Sequence, residues 1–115
     1  MPFTTHSKDL MLNTLPSTLY TSAHYGNPTN AGINEVSGTG YARIAITLDA
    51  ASNEARPSST TATLVIPSNF DVTYIGYWDA ITGGNFMGYK AITEENFPNG
   101  GNLVVESHNF LLDLD

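Results

Sequence analysis

The clearest pattern in the chain is an alternation of apolar and more polar positions between Tyr41 and Asp49. Ile44, Ile46 and Leu48 fall on one face, and the residues between them are smaller or polar. Successive side chains of a β-strand point to opposite faces of a sheet. The spacing therefore predicts a strand over 41–49 with one buried face.

Similar short patterns recur between turn-forming residues along most of the chain. Strands are predicted over 19–24, 41–49, 61–66, 72–78, 86–92, 103–106 and 110–114. Within 72–78, simple alternation places Val72 on the same face as Tyr74 and Trp78. Gly83-Gly84 favours a hairpin turn between two of these strands, and Gly88 predicts a bulge or a close approach of backbone.

Two stretches between the strands are predicted to be irregular. Residues 50–59 contain Asn, Pro and Ser as turn formers, and 94–102 contain the run Pro98-Asn99-Gly100-Gly101. Residues of these types favour turns because they accept unusual backbone angles or bond to their own backbone. Both stretches are therefore predicted to be loops.

The segment before Pro16 predicts a helix over residues 4–14. Thr4 or Thr5 can cap its start by accepting a backbone N–H bond, and the residue before a proline avoids helical angles. A helix this short is marginal alone, so it is expected to dock on the rest of the protein. Its apolar positions are Leu10, Met11 and Leu15, with Phe3 placed against the first turn.

These elements predict a single all-β domain over residues 1–115. An N-terminal helical segment covers 1–15, and a β-sandwich or small barrel of about seven strands covers 16–115, since turn signals recur about every ten residues. A chain of 115 residues is long enough for one modest core.

Composition narrows the choice of partners. The net charge is −7, and the four cationic residues, Lys8, Arg43, Arg56 and Lys90, are scattered. Nucleic acids and anionic membranes need clustered basic side chains, so both are disfavoured as partners. The chain has no cysteine, which excludes disulfides and thiol chemistry.

Candidate chemistry is sparse. His6, His24 and His108 have no second histidine or cysteine at a metal-ligand spacing, whereas a zinc site needs three or four convergent ligands. No serine occupies a nucleophile elbow. Glu94 and Glu95 are adjacent in a predicted loop and do not form an opposed glycosidase pair. The sequence predicts no enzyme, no metal and no cofactor.

The aromatic run from Tyr74 to Trp78, in the strand predicted over 72–78, has two interpretations. Its rings can stack on sugars, or they can pack in a core and between subunits, and the second interpretation is favoured. The predicted interface residues are Phe3, Leu10, Met11, Tyr74, Tyr77 and Trp78.

Several motifs resemble a family of small virion structural proteins of tailed bacteriophages, described as tail fibre or head decoration proteins. The resemblance begins in the segment from His24 to Arg43 and covers most of the chain. It is carried by Asn27-Pro28, Asn34-Glu35-Val36-Ser37-Gly38, Tyr41-Ala42-Arg43, Val72 to Ala80, and Thr82-Gly83-Gly84-Asn85. Tyr74 departs from it, since the family often has histidine there.

The resemblance implies a non-enzymatic structural protein located in the virion. Because the domain is small, acidic and without a fibre-forming repeat, the preferred interpretation is a capsid decoration (cement) protein. It would bind the major capsid protein or other virion proteins as a dimer or trimer. The alternative is a tail fibre or tail-tip component that binds host surface glycan. The N-terminus lacks a secretory signal pattern, so synthesis in the host cytoplasm is expected.

Overall fold

The computed structural model describes residues 4–53, 55–58, 60–106 and 109–111. Within these ranges it contains one α-helix, α1 (Thr5–Leu12), a 3₁₀ turn at Thr29–Ala31, and eight strands. The strands are β1 (Thr18–His24), β2 (Ile44–Thr47), β3 (Ala55–Pro57), β4 (Ala62–Ile66), β5 (Phe70–Trp78), β6 (Phe86–Phe97), β7 (Gly101–Val105) and β8 (Asn109–Leu111). The predicted all-β fold with a short N-terminal helix is confirmed.

The largest sheet has four antiparallel strands in the order β2-β1-β5-β6. β1 lies at its centre, with Leu19 opposite Ile46 of β2 and Ala23 opposite Ile75 of β5. β5 and β6 form the hairpin that the Gly83-Gly84 turn predicted.

The second layer is a long antiparallel ribbon. β3 pairs with β8 and β4 pairs with β7, both antiparallel. The successive strands β3 and β4 therefore run alongside the successive strands β7 and β8. β2 joins this ribbon to the large sheet, because Leu48 bridges Ser58 and the Asp49 N–H donates to the Pro57 carbonyl at 2.9 Å. The predicted loop over 50–59 is thus wrong at residues 55–57, where pairing with β8 imposes a strand.

The core lies between the two layers. It consists of apolar side chains with almost no exposed surface, including Leu19, Ile46, Leu64, Val72 and Leu103. In β4, Ala62, Leu64 and Ile66 are buried and the residues between them are exposed. This alternation places Ala62, Leu64 and Ile66 on the face of β4 that meets the core.

One predicted face is wrong because β5 contains an irregularity. The pairing shifts register between Val72, opposite Glu95, and Tyr74, opposite Ala91. Three residues of β6, 92–94, stand opposite the single residue Thr73 of β5, and such a bulge disturbs the regular alternation of side chains between the two faces. Val72 consequently joins Tyr77 in the core, while Trp78 lies on the opposite face of the sheet.

β6 is longer than predicted. It continues to Phe97, because Asn96 and Phe97 pair with Asp71 and Phe70 of β5, and only the residues just after Phe97 form a turn. The bulge predicted at Gly88 lies beside it, at the register shift between Tyr77 and Trp78. Of the two alternatives predicted at Gly88, the structure shows the bulge, and nothing lies within 4 Å of a Cβ placed there.

Helix α1 begins as predicted but packs by a different face. Thr4 caps it by accepting the Ser7 N–H at 3.2 Å. The buried residues are Lys8 and Leu12, four apart and therefore on one side of the helix, while Leu10 is 56% exposed. The predicted packing role of Leu10 is therefore wrong. Phe3 lies outside the described residues.

Arg56 of β3 fastens the end of α1 to the ribbon. Its guanidinium donates to the carbonyls of Leu12 (3.0 Å), Leu15 (2.6 Å) and Asp49 (2.9 Å), and the residue is 6% exposed. The last carbonyls of a helix lack intrahelical partners and carry partial negative charge. One buried cation therefore satisfies carbonyls at the helix end and in the loop after β2.

We predict that Arg56→Met lowers the free energy of unfolding by about 2–3 kcal/mol, because it leaves enclosed carbonyls without donors. Amide hydrogen exchange should show the loss of protection concentrated in α1. The matched control is Lys90→Met, which removes an exposed cation and should change stability by less than about 0.5 kcal/mol. Equal effects of the two substitutions would contradict the role given to Arg56.

Candidate functional site

The candidate site is a set of side chains that holds the segment after β1 against the outer face of the large sheet. We call it the outer-face cluster. It comprises Ser22, His24, Gly32, Glu35, Tyr41, Arg43, Trp78 and Phe86. Residues from β1, β5 and β6 supply its base, and the segment 25–43 supplies its cover.

Arg43 connects three parts of the chain. Its Nε and Nη2 donate to Glu35 Oε2 and Oε1 at 3.0 and 2.9 Å, which is a two-point ion pair. Its Nη1 donates to the carbonyls of Ala80 (3.1 Å) and Gly83 (2.8 Å) in the β5–β6 turn. The side chains of Arg43 and Glu35 are only 10% and 20% exposed, so water weakens this pair less than a surface pair.

Trp78 forms the floor beneath Arg43. The guanidinium carbon lies 3.7 Å from the centre of the indole ring, a cation–π contact. Phe86 packs edge-on against the same indole at 4.9 Å between ring centres. The indole Nε1 donates to Ser22 Oγ at 2.9 Å. Trp78 is therefore enclosed on several sides, and 9% of its surface remains exposed.

His24 extends this chain of hydrogen bonds. Its Nδ1 lies 2.8 Å from the Ile33 carbonyl, which can only accept, so Nδ1 carries the proton. Its Nε2 then accepts from the Ser22 hydroxyl, 2.7 Å away, and that hydroxyl accepts from Trp78. Burial lowers the pKa of His24 below its usual value. A neutral imidazole satisfies every donor in this arrangement.

Two glycines allow the cover to approach the sheet this closely. A Cβ at Gly32 would lie 2.6 Å from the Trp78 ring, and one at Gly76 would lie 2.7 Å from His24 Nε2. Gly32 also has φ of +72°, a conformation that side chains disfavour. Larger residues at either position would push the cover away from the indole.

Tyr41 links the cluster to the backbone of β1. Its hydroxyl donates to Glu35 Oε2 at 2.7 Å and accepts from the Ala23 N–H at 3.1 Å. Burial raises the pKa of Tyr41 far above its usual value. The phenol therefore stays protonated at neutral pH and can donate to Glu35.

Asp79 shapes the turn that receives Arg43. Its carboxylate accepts the Asn85 backbone N–H at 2.7 Å and the Asn85 side-chain amide at 2.9 Å. These hydrogen bonds lower the pKa of the Asp79 carboxyl. The turn so formed contains Gly83 and Gly84, both at positive φ, and it directs two carbonyls at the guanidinium.

The Ser22–His24 contact has the distance of a nucleophile and its base. Both residues are fully enclosed, at 0% exposure, and the serine oxygen already accepts from Trp78. A substrate has no route to this pair in the folded state, so its role here is structural. Among the described residues, no group of three or more His, Cys, Asp or Glu side chains could hold a metal ion. Nor does any helix in the described ranges have the length and apolar character to span a membrane.

The structure separates the predicted interface residues into two sets. Tyr77 and Trp78 are enclosed within the chain, and burial raises the pKa of the Tyr77 phenol. Leu10 is exposed, and Met11 and Tyr74 are half-buried. Tyr74 packs edge-on against Tyr89 at 6.0 Å, and Tyr89 is 43% exposed. An interface role for the accessible residues stays a prediction.

Sequence reasoning did not identify the partners of Trp78. Ser22 carried no motif, and Glu35 with Arg43 was noted only as part of a resemblance. One signal was available: in a chain with four cations, a glutamate and an arginine occur in the same turn-rich segment. Opposite charges so close in a weakly charged sequence are a reasonable pair to test first.

We predict that Arg43→Lys lowers the free energy of unfolding by about 2–4 kcal/mol. Lysine cannot reproduce the two-point pair with Glu35, the two carbonyl bonds and the stacking on Trp78 together. Denaturant unfolding measures the loss. In a double-mutant cycle with Glu35→Gln, the two effects should be strongly non-additive. Additive effects would show that the pair does not act as one unit.

We predict that acid weakens the fold through His24. Burial lowers the pKa of His24 in the folded protein below its usual value of 6.5, so the unfolded chain binds more protons as pH falls. Stability is fully present above about pH 6.5 and declines as pH drops through that value. Unfolding free energies measured across this range should decline less steeply in His24→Asn than in wild type.

The matched control is His6→Gln, which removes an imidazole on α1 outside the outer-face cluster. The difference between the slopes of the two variants isolates the contribution of His24. If unfolding free energy depends on pH with the same slope in His24→Asn and His6→Gln, a buried and neutral His24 imidazole in the folded protein is contradicted.

Comparison with known proteins gives one family. The family model described as podophage GP4 fiber I protein gp80 matches residues 8–112, which is most of the chain. A search of curated proteins found no match. The resemblance to phage virion structural proteins is therefore supported at the level of the family. The chain belongs to the family of podophage GP4 fiber I protein gp80.

Proposed function

We propose that this protein is a structural component of a podophage tail fibre. The observation that carries the proposal is the family match over residues 8–112, since that family is described as a fibre protein. The outer-face cluster is compatible with this role. Its Ser22–His24 pair is enclosed, and its charged side chains are engaged in hydrogen bonds within the chain.

A fibre module must keep its shape while it holds neighbouring parts of a particle together. Backbone hydrogen bonds hold part of the segment 25–43, such as the one from the Val36 N–H to the Ala23 carbonyl. The ion pair of Arg43, its contact with the indole and its bonds to carbonyls add ties to β5 and the β5–β6 turn. A rigid outer face is a suitable surface for permanent contact with other virion proteins.

Capsid decoration was the preferred interpretation of the sequence, and the family match favours the fibre alternative over it. Small size, acidity and the lack of a repeat are shared by many structural domains, so they discriminate poorly between head and tail. A dimer or trimer remains part of the proposal, with exposed Leu10 of α1 as a candidate contact.

Glycan binding is part of the tail alternative, and exposed aromatic side chains are where a sugar ring would stack. Tyr77 and Trp78 are enclosed, so they do not offer faces to a sugar. Tyr74 and Tyr89 form the accessible aromatic pair on the outer face. A sugar ring stacked on the protein would meet these two side chains.

We predict that gold-labelled antibodies against this chain mark the tail of intact particles, because the family is described as a fibre protein. Electron microscopy of labelled particles measures the position directly. The matched control is an antibody against the major capsid protein, which should mark the head. Label spread evenly over the head would contradict the fibre proposal and restore capsid decoration.

A further inference from the structure

The strands β6 and β7 are adjacent in sequence but do not pair with each other. A short turn after Phe97 joins them, yet β6 bonds to β5 and β7 bonds to β4. Antiparallel strands joined by a tight turn commonly form a hairpin. In the described ranges, the sides of β6 and β7 away from β5 and β4 have no strand neighbour. We call the space between β6 and β7 the seam.

The seam is a groove that reaches the edges of both strands. It encloses a cavity of about 350 Å³ lined by four consecutive residues, 103–106, and by Ile92 and Thr93. Successive side chains of a strand point to opposite faces. A cavity that touches three consecutive residues of β7, Leu103 to Val105, and then Glu106 extends to the strand edge, where the backbone N–H and C=O groups lie.

The floor of the seam is apolar. Ile75, Leu103 and Val105 line it and are each less than one-tenth exposed, as members of the core. An apolar floor with backbone donors and acceptors on its walls fits an extended peptide segment. Such a segment pairs through its main chain and places alternate side chains on the floor.

Charge decides between a second copy and another protein as the occupant. Lys90, Glu95 and Glu106 line the seam, and exposed Glu94 is adjacent on β6, so carboxylates outnumber cations there. A second copy brings a net charge of −7. Like charges oppose such an association, whereas a cationic segment would be attracted.

The cations of a second copy are also poorly placed. Arg43 and Arg56 donate to groups of their own chain, and Lys8 is 6% exposed. The fourth, Lys90, lies in the seam itself. A second copy therefore has no accessible basic strand to insert among the carboxylates.

We propose that the seam binds an extended, basic strand of a different virion protein, which continues the large sheet beyond β6. The partner's place in the particle rests on the proposed function, but the chemistry of the segment does not. Apolar side chains at alternate positions would face Ile75, Leu103 and Val105. Lysine or arginine side chains between them would approach Glu95.

Because the chain has no cysteine, Thr93→Cys gives a single thiol at the seam for a photo-activated cross-linker. Particles that carry this variant are irradiated, and the cross-linked peptides are identified by mass spectrometry. The expected product joins residue 93 to a lysine- or arginine-containing segment of another virion protein. The matched control is Thr82→Cys, an exposed site in the β5–β6 turn, which should not yield that product.

Two outcomes would overturn the proposal: a cross-link from residue 93 to a second copy of this chain, or no cross-link at all. Adding Glu95→Lys should reduce the yield by about fivefold or more, because a rim charge is reversed. Glu95→Asp keeps the charge and should retain the yield. An unchanged yield in Glu95→Lys would remove the basic character assigned to the occupant. Antibody label on the head would overturn only the fibre proposal, since the cross-link reports the occupant wherever the particle carries the protein.

Discussion

The arrangement of the outer face depends on one guanidinium. Arg43 pairs with Glu35, rests on the indole of Trp78 and binds two carbonyls of the β5–β6 turn. These contacts join segments far apart in sequence. The segment 25–43, which precedes β2, and the β5–β6 turn are therefore fixed to each other. Lysine has neither the planar fork nor the stacking surface for this task. In a chain with few charged residues, Arg43 and Glu35 thus hold separate segments together.

Arg56 repeats the same principle at the end of α1. It binds carbonyls at the end of α1 and in the loop after β2, as Arg43 binds carbonyls in a turn. Both arginines stabilise backbone that lies outside regular sheet pairing. A structural protein built in this way gains a fixed outer shape. Among the described residues, the edges of β6 and β7 away from β5 and β4 have no strand neighbour.

The sequence predicted most strands because their alternation is local. The same reasoning failed where the pairing is irregular: the register shift after Val72 reversed the face of that residue. It also missed β3, since Ala55–Pro57 becomes a strand through pairing with β8, which is distant in sequence. The helix face was wrong because Lys8 and Leu12, rather than Leu10, turn towards β3 and Arg56. The outer-face cluster joins β1, the 25–43 segment and the β5–β6 turn. Apart from the nearby opposite charges of Glu35 and Arg43, no local pattern reveals these contacts.

The central claim is that side-chain and backbone contacts together make the segment 25–43 a fixed part of the domain. Amide hydrogen exchange of the unmodified protein tests this most directly, because it reports local opening residue by residue. If the account is right, Tyr25, Ile33 and Val36, whose amides donate to backbone carbonyls, exchange about as slowly as the central residues of β1 and β5. Rapid exchange of these amides, alongside slow exchange in β1 and β5, would contradict it.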